Sequence, residues 1–298
     1  MTALPFADLL AQALDRVGSP ACVGLDPVYD KLPDALKCGT GGLGQGGGGP
    51  VPAIARFCEG VLEACRGHVA VVKPQSACFE RYGPEGLACL QHVNRRAREL
   101  GYLVLLDAKR GDIGLTAEHY AAAAFDQFHA HAVTLNPYLG PDTVEPFLKD
   151  PARGVFLLVR TSNPGSDSVQ SPLLADGRSV AEMVADHVAA LGAGRLGACG
   201  LSSVGAVVGA TKPQDAAALR ARMRRSVFLV PGYGAQGGTI PDIRRMVIPG
   251  AKTPGQSGVL VTASRSVIYA AAPGEPDWQG AVARAAAALA GELRSLLG

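Results

Sequence analysis

Short apolar runs recur along the chain, and longer stretches with apolar residues at helical spacing separate them. The runs lie in ACVGLD, VAVVK, YLVLLDAK, HAVTLN, GVFLLVRTS, SVGAVVGAT, SVFLVPGYGAQGG and GVLVTASR. Each has the length and composition of a strand buried on both faces. Between them, Ile54, Phe57, Cys58, Val61, Leu62 and Cys65 line one face of a helix over 54–65. Similar periodicity predicts helices over 8–17, 85–100, 116–128, 142–149, 180–191, 214–223 and 278–297, with a short segment near 240–246.

Strict alternation of strand and helix implies parallel strands. Eight such repeats in 298 residues predict an α/β fold, a closed (βα)8 TIM barrel forming a single domain over 1–298. An open doubly wound sheet could carry the same alternation, but the regularity of the repeats favours closure. Nearly every run ends in a polar residue: Asp26, Lys73, Asp107 with Lys109, Asn136, Thr161 with Ser162, Thr211, Gln236, and Ser264 with Arg265. In a barrel these ends share one mouth, where the active sites of this architecture lie.

The third run carries the densest chemistry. Side chains two apart on an extended chain share a face, so Asp107 and Lys109 should enter the same space while Arg110 points away. A carboxylate beside an ammonium favours the charged form of both, which suits a proton donor. The alternative is a solvated loop of weakly interacting charges, but two charges aimed inward at a strand end are costly unless used. Asp112 lies beyond Gly111, past the strand. After the seventh run, the glycine-rich segment from Pro231 to Gly238 can bring backbone N–H groups to an anion. Arg265, after the eighth, offers a planar fork suited to phosphate oxygens. A tight turn and a surface arginine are the plain alternative. Taken together, these ends suggest a phosphorylated small molecule whose reacting end sits over lysines and aspartates.

Composition narrows this further. The formal charge is +2 and the few aromatics do not interleave with the scattered basic residues, so nothing favours nucleic acid or an anionic membrane. No run reaches membrane-spanning length. The amphipathic start, with Asp8 and Asp15, lacks the basic head and apolar centre of a signal peptide, and a cytoplasmic protein is expected. Cysteines at 22, 38, 58, 65, 78, 89 and 199 form no CxxC pair, and the histidines are scattered. Reduced buried thiols are expected rather than a metal site. The histidines at 68, 92, 119, 129, 131 and 187 sit on or beside the predicted helices, which suits packing better than catalysis. KCGTGGLGQGGGGP contains a formal GxGxxG at Gly44, Gly46 and Gly49, but no strand runs into it, so 39–49 reads as a flexible loop.

The motifs VGLDP, VVKP, DAKRGDI, PGYGAQGG and SR, in that order, resemble the orotidine 5′-monophosphate decarboxylase family, most closely its longer bacterial members. DxKxxD alone is shared with other sugar-phosphate enzymes of the same barrel group, whereas KRxDI together with PGxGAQGG is more specific. The resemblance implies conversion of orotidine 5′-monophosphate to UMP and CO2 without a cofactor. It implies Lys109 as proton donor, Asp107 against the substrate carboxylate, and Lys73 with Asp26 on the ribose hydroxyls. It further implies Ser162 at the pyrimidine amide, Gln236 between base and phosphate, and Pro231, Ser264 and Arg265 around the phosphate. Asp112, Ile113 and Thr116 would reach the neighbouring site of a homodimer. Ser264 stands where many members carry glycine. Two other readings stay open: a metal-dependent sugar-phosphate decarboxylase or aldolase, which would need a further carboxylate for Mg²⁺, and a non-catalytic nucleotide-sensing barrel.

Overall fold

The computed structural model describes residues 4–37, 49–234 and 236–297. Eight parallel strands close on themselves in sequence order: β1 Ala21–Leu25, β2 Val71–Pro74, β3 Leu103–Arg110, β4 Ala132–Leu135, β5 Gly154–Arg160, β6 Ser202–Val208, β7 Ser226–Val230 and β8 Val259–Ala263. The seam pairs Ala21, Cys22 and Val23 with Val261, Thr262 and Ala263. The predicted closed barrel is therefore the observed one. Pro27 follows β1 directly, and Pro74 is the last residue of β2; neither can donate to the ladder, so these strands end where the polar residues begin.

Apolar residues occupy both strand faces, so the barrel has an inner and an outer core. Cys22, Val71, Leu105, Ala132, Phe156, Leu229 and Leu260 share the inner one with Phe6, Leu10 and Leu14 of the helix Phe6–Val17. That helix closes the amino-terminal mouth. Phe6 packs edge-on against Phe156, with ring centroids 6.3 Å apart, in space that Gly154 leaves open. The buried Asp8 carboxylate accepts from Ala198 N–H (2.9 Å) and Cys199 N–H (2.8 Å) ahead of β6, and Asp15 accepts from Gly255 N–H ahead of β8. The other helices, chiefly Pro50–Ala64, Gly83–Glu99, Val180–Gly192 and Trp278–Arg294, cover the outer face. With one end plugged, the carboxyl-terminal mouth is left for chemistry.

Two expected helices differ in kind. The α-helix Gly114–Ala122 continues as a π turn, Ala123–Gln127, where Phe125 packs edge-on against Phe147. The segment Pro141–Leu148 is 3-10 rather than α, since Pro146 lacks an N–H inside it. β3 runs one residue further than expected, to Arg110, through an irregularity: Leu106 pairs with Val133, but Arg110 already pairs with Leu135. At the start of the same pairing, His131 N–H donates to Val104 C=O and the His131 ring Nδ1 accepts from Val104 N–H. The glycine-rich 39–49 lies outside the described residues, apart from Gly49 at the start of Pro50–Ala64.

Candidate active site

The polar strand ends converge as expected on the carboxyl-terminal mouth. A cavity of about 710 Å³ there is lined by Lys73, Asp107, Lys109, Thr134, Asn136 and Ser162, with Pro231 at its edge. Asp107 is its centre. Its Oδ2 accepts from Lys73 Nζ and from Gln75 Nε2 at 3.2 Å; its Oδ1 accepts from Lys109 Nζ at 2.5 Å and Thr134 Oγ1 at 2.9 Å. Burial alone would push this carboxyl up, but the two ammonium groups and their hydrogen bonds overcome it and hold it well below the usual carboxylate range. Lys73 is equally enclosed. Burial would push its ammonium down, but the Asp107 and Asp26 carboxylates reverse that and raise it. Cation and carboxylate are thus both charged at neutral pH.

Asp26, one residue beyond β1, contributes a carboxylate oxygen, Oδ1, that is buried and has no hydrogen-bond partner. Tyr269 holds the backbone around it: its hydroxyl donates to Asp26 C=O at 3.1 Å and accepts from Val28 N–H at 2.7 Å. Ser264 follows β8 beside Gly24 of β1. A side chain at Gly24 would lie 1.9 Å from Ser264 Oγ, so the serine occupies space that only glycine leaves. Arg265 opens the short helix Arg265–Ile268, is exposed, and has no ion pair among the described residues. Gln236 is exposed too, in a loop where Gly232, Gly234 and Gly237 take φ of 93°, 66° and 92°, values that would strain a side chain. Ala235 lies outside the described residues.

Asp26, Gln236, Ser264 and Arg265 follow β1, β7 and β8 at the same end of the barrel without lining the cavity itself. Asp112, Ile113 and Thr116 are not drawn in. Asp112 accepts from Ile113 N–H at 2.8 Å, and Ile113 is 60% exposed beside an exposed Leu115. Arg110 points away as expected, onto Glu80.

Sequence reasoning missed three contributors. Thr134, buried two positions before Asn136, shares that strand face by alternation, which was the available signal. Gln75 follows the proline that ends β2. Arg160, at the end of β5, is buried and binds Asp167, Asp215 at 2.6 Å and Ser166 at 3.0 Å, pinning the segment that carries Ser162. His187, for which packing is expected, is among the residues lining the cavity. Among the described residues no group of three or more His, Cys, Asp or Glu side chains is arranged to hold a metal ion.

Comparison with known proteins points the same way. The model of the orotidine 5′-phosphate decarboxylase / HUMPS family matches residues 19–276. The chain is 39% identical over 296 residues to orotidine 5′-phosphate decarboxylase of Rhodopirellula baltica, covering 94% of this chain and 95% of that one. It is 42% identical over 268 residues to the enzyme of that name from Cupriavidus necator, covering 90% of each. The solved structure of Leishmania donovani OMP decarboxylase superimposes with a TM-score of 0.76 at 34% identity, covering 99% of both chains.

Proposed function

Because the chain belongs to the orotidine 5′-phosphate decarboxylase / HUMPS family and its reaction is the decarboxylation that completes UMP biosynthesis, we propose that the Asp107-centred site performs it without a cofactor. The observation that carries this reading is the Lys73–Asp107–Lys109 array at the barrel mouth, in which Lys73 and Asp107 are a buried ion pair and Lys109 reaches Asp107 from the open side. Loss of CO2 from C6 of orotate leaves an electron pair in the ring plane, where the π system cannot delocalise it. Stabilisation must then be electrostatic. The Lys109 ammonium faces that charge and delivers a proton to C6. Asp107 sits against the leaving carboxylate and holds both lysines in place.

The remaining residues bind. Lys73 and Asp26 take the ribose hydroxyls, and the unpartnered Asp26 Oδ1 is an acceptor awaiting such a donor. Ser162 meets the pyrimidine amide, while Gln236 bridges base and phosphate. Arg265, free of ion pairs among the described residues, takes the phosphate with Ser264 and the loop from Pro231. These remote contacts contribute binding energy that is expressed at the reacting carbon. The protein acts as a cytoplasmic homodimer of single-domain chains, with Asp112, Ile113 and Thr116 completing the partner's site. The exposure of Ile113 and Thr116 beside Leu115, together with the exposed Tyr138 and Leu139, supports this arrangement.

The test follows orotate absorbance with purified protein, with and without EDTA. Turnover undiminished by chelation is expected. Loss of turnover restored by Mg²⁺ would favour a metal-dependent mechanism, and UMP binding without turnover would favour a sensor.

A further inference from the structure

Lys109 has a backbone φ of 48°, one of only two non-glycine residues with positive φ among those described. Such a conformation is strained for a residue with a side chain and persists only where its surroundings impose it. The cause is the irregularity in β3. Between Leu106 and Arg110 the strand advances further than β4 does between Val133 and Leu135, so Lys109 is displaced from the ladder. Its N–H then needs another acceptor, which is Thr134 Oγ1 at 3.0 Å. The same hydroxyl donates to Asp107 Oδ1 at 2.9 Å, the oxygen that Lys109 Nζ also reaches.

The direction of both bonds follows from chemistry. A backbone N–H can only donate, and an ionised carboxylate can only accept, so the hydroxyl proton must lie toward Asp107. Thr134 is 1% exposed, so no solvent competes for it. We propose that Thr134 is a positioning residue for the decarboxylation, holding with one hydroxyl both the turned backbone of Lys109 and the orientation of Asp107. This rests on the reading that Lys109 delivers the proton. Thr134 acts through its two neighbours: it keeps the ammonium and the carboxylate in fixed relative placement as charge develops at C6.

Thr134→Val keeps the shape and removes the hydroxyl, whereas Thr134→Ser keeps the hydroxyl. In the valine variant kcat should fall roughly 100-fold, the order expected of a misplacement near 1 Å. Its KM and its affinity for UMP should stay within about 3-fold, because binding contacts are untouched. The serine variant should recover kcat to within about 3-fold of wild type. Losing a donor to Asp107 should also move the acid limb of the kcat/KM profile of the valine variant upward in pH. Equal losses in valine and serine would reduce Thr134 to packing, and a valine variant with unchanged kcat would overturn the proposal outright. If valine prevents folding, Thr134→Cys replaces the hydroxyl by a weak donor and acceptor. A fall in its kcat at constant KM supports the proposal, and unchanged kcat overturns it. Lys109→Ala measured in parallel separates the two failures. Substantial activity there removes the proton-donor reading itself, whereas an inactive Lys109→Ala beside an unimpaired valine variant removes only the role of Thr134.

Discussion

Replacing His131 by asparagine would measure how strongly the first rung between β3 and β4 depends on a neutral imidazole. Its Nδ1 accepts from Val104 N–H at 2.9 Å. Burial, then the cations of Arg98 and Arg153, push its pKa from 6.5 down to about 3. Protonation would set one N–H against another, so the folded protein keeps the ring neutral. The unfolded chain is under no such constraint. With the folded value below the unfolded one, the contribution is complete above about pH 6.5 and is lost as pH falls from there toward about 3. Each pH unit well inside that window removes about 1.4 kcal/mol, so the loss between about pH 7 and about pH 5.5 is about 1.3 kcal/mol. Asparagine can offer a carboxamide oxygen to Val104 N–H and does not titrate. Urea unfolding of both proteins, at equal concentration and both pH values, should show the wild type losing about 1.3 kcal/mol more than His131→Asn. Equal losses would refute the argument. The result bears on the site because β4, three residues on, carries Thr134.

Lys109→Ala should lower decarboxylation by several orders of magnitude while UMP still binds, since the lysine acts on charge that develops in the transition state; assays of turnover and of UMP affinity check this, and a modest loss would contradict it. Arg265→Ala should raise KM for the nucleotide markedly but leave turnover of orotidine lacking its phosphate unaffected, and equal damage to both substrates would remove the phosphate role. Lys109→Ala and Asp112→Ala should each be inactive as homodimers. When refolded together they should regain roughly a quarter of wild-type activity, because about half the dimers are mixed and each mixed dimer keeps one intact site of two. No recovery, although refolded wild type recovers, would place Asp112 in its own chain's site or outside catalysis.

The barrel and most of its mouth were legible because their signals are local. An apolar run followed by Asp26 and Pro27, or by Lys73 and Pro74, marks a buried strand and its end within a few residues. The placement of Asp107 and Lys109 follows from alternation alone, although the geometry that achieves it does not. Alternation assumes an extended chain, whereas Lys109 is turned through a left-handed conformation that depends on the register of β4. Thr134 went unnoticed for the same reason: its role exists only once β3 and β4 are paired. Arg160 ends an apolar run much as other polar residues do, and only the fold brings Asp215 to it. Asp112 and Ile113 were recognised by resemblance rather than physics, since within a single chain neither lines the cavity and Ile113 is exposed.

Gly24 and Ser264 sit side by side across the seam between β1 and β8, and a serine hydroxyl occupies the place of the missing side chain. The consequence concerns the routes by which this sequence can change. From the present chain, alanine at 24 would meet Ser264, with its Oγ at 1.9 Å and its Cβ at 3.0 Å, so the serine side chain must move, while glycine at 264 is sterically open. Once 264 becomes glycine, position 24 can acquire a methyl group, and from then on serine at 264 is the blocked step. The two positions therefore exchange bulk most easily in one order, with 264 losing its side chain before 24 gains one, and return most easily in the reverse order.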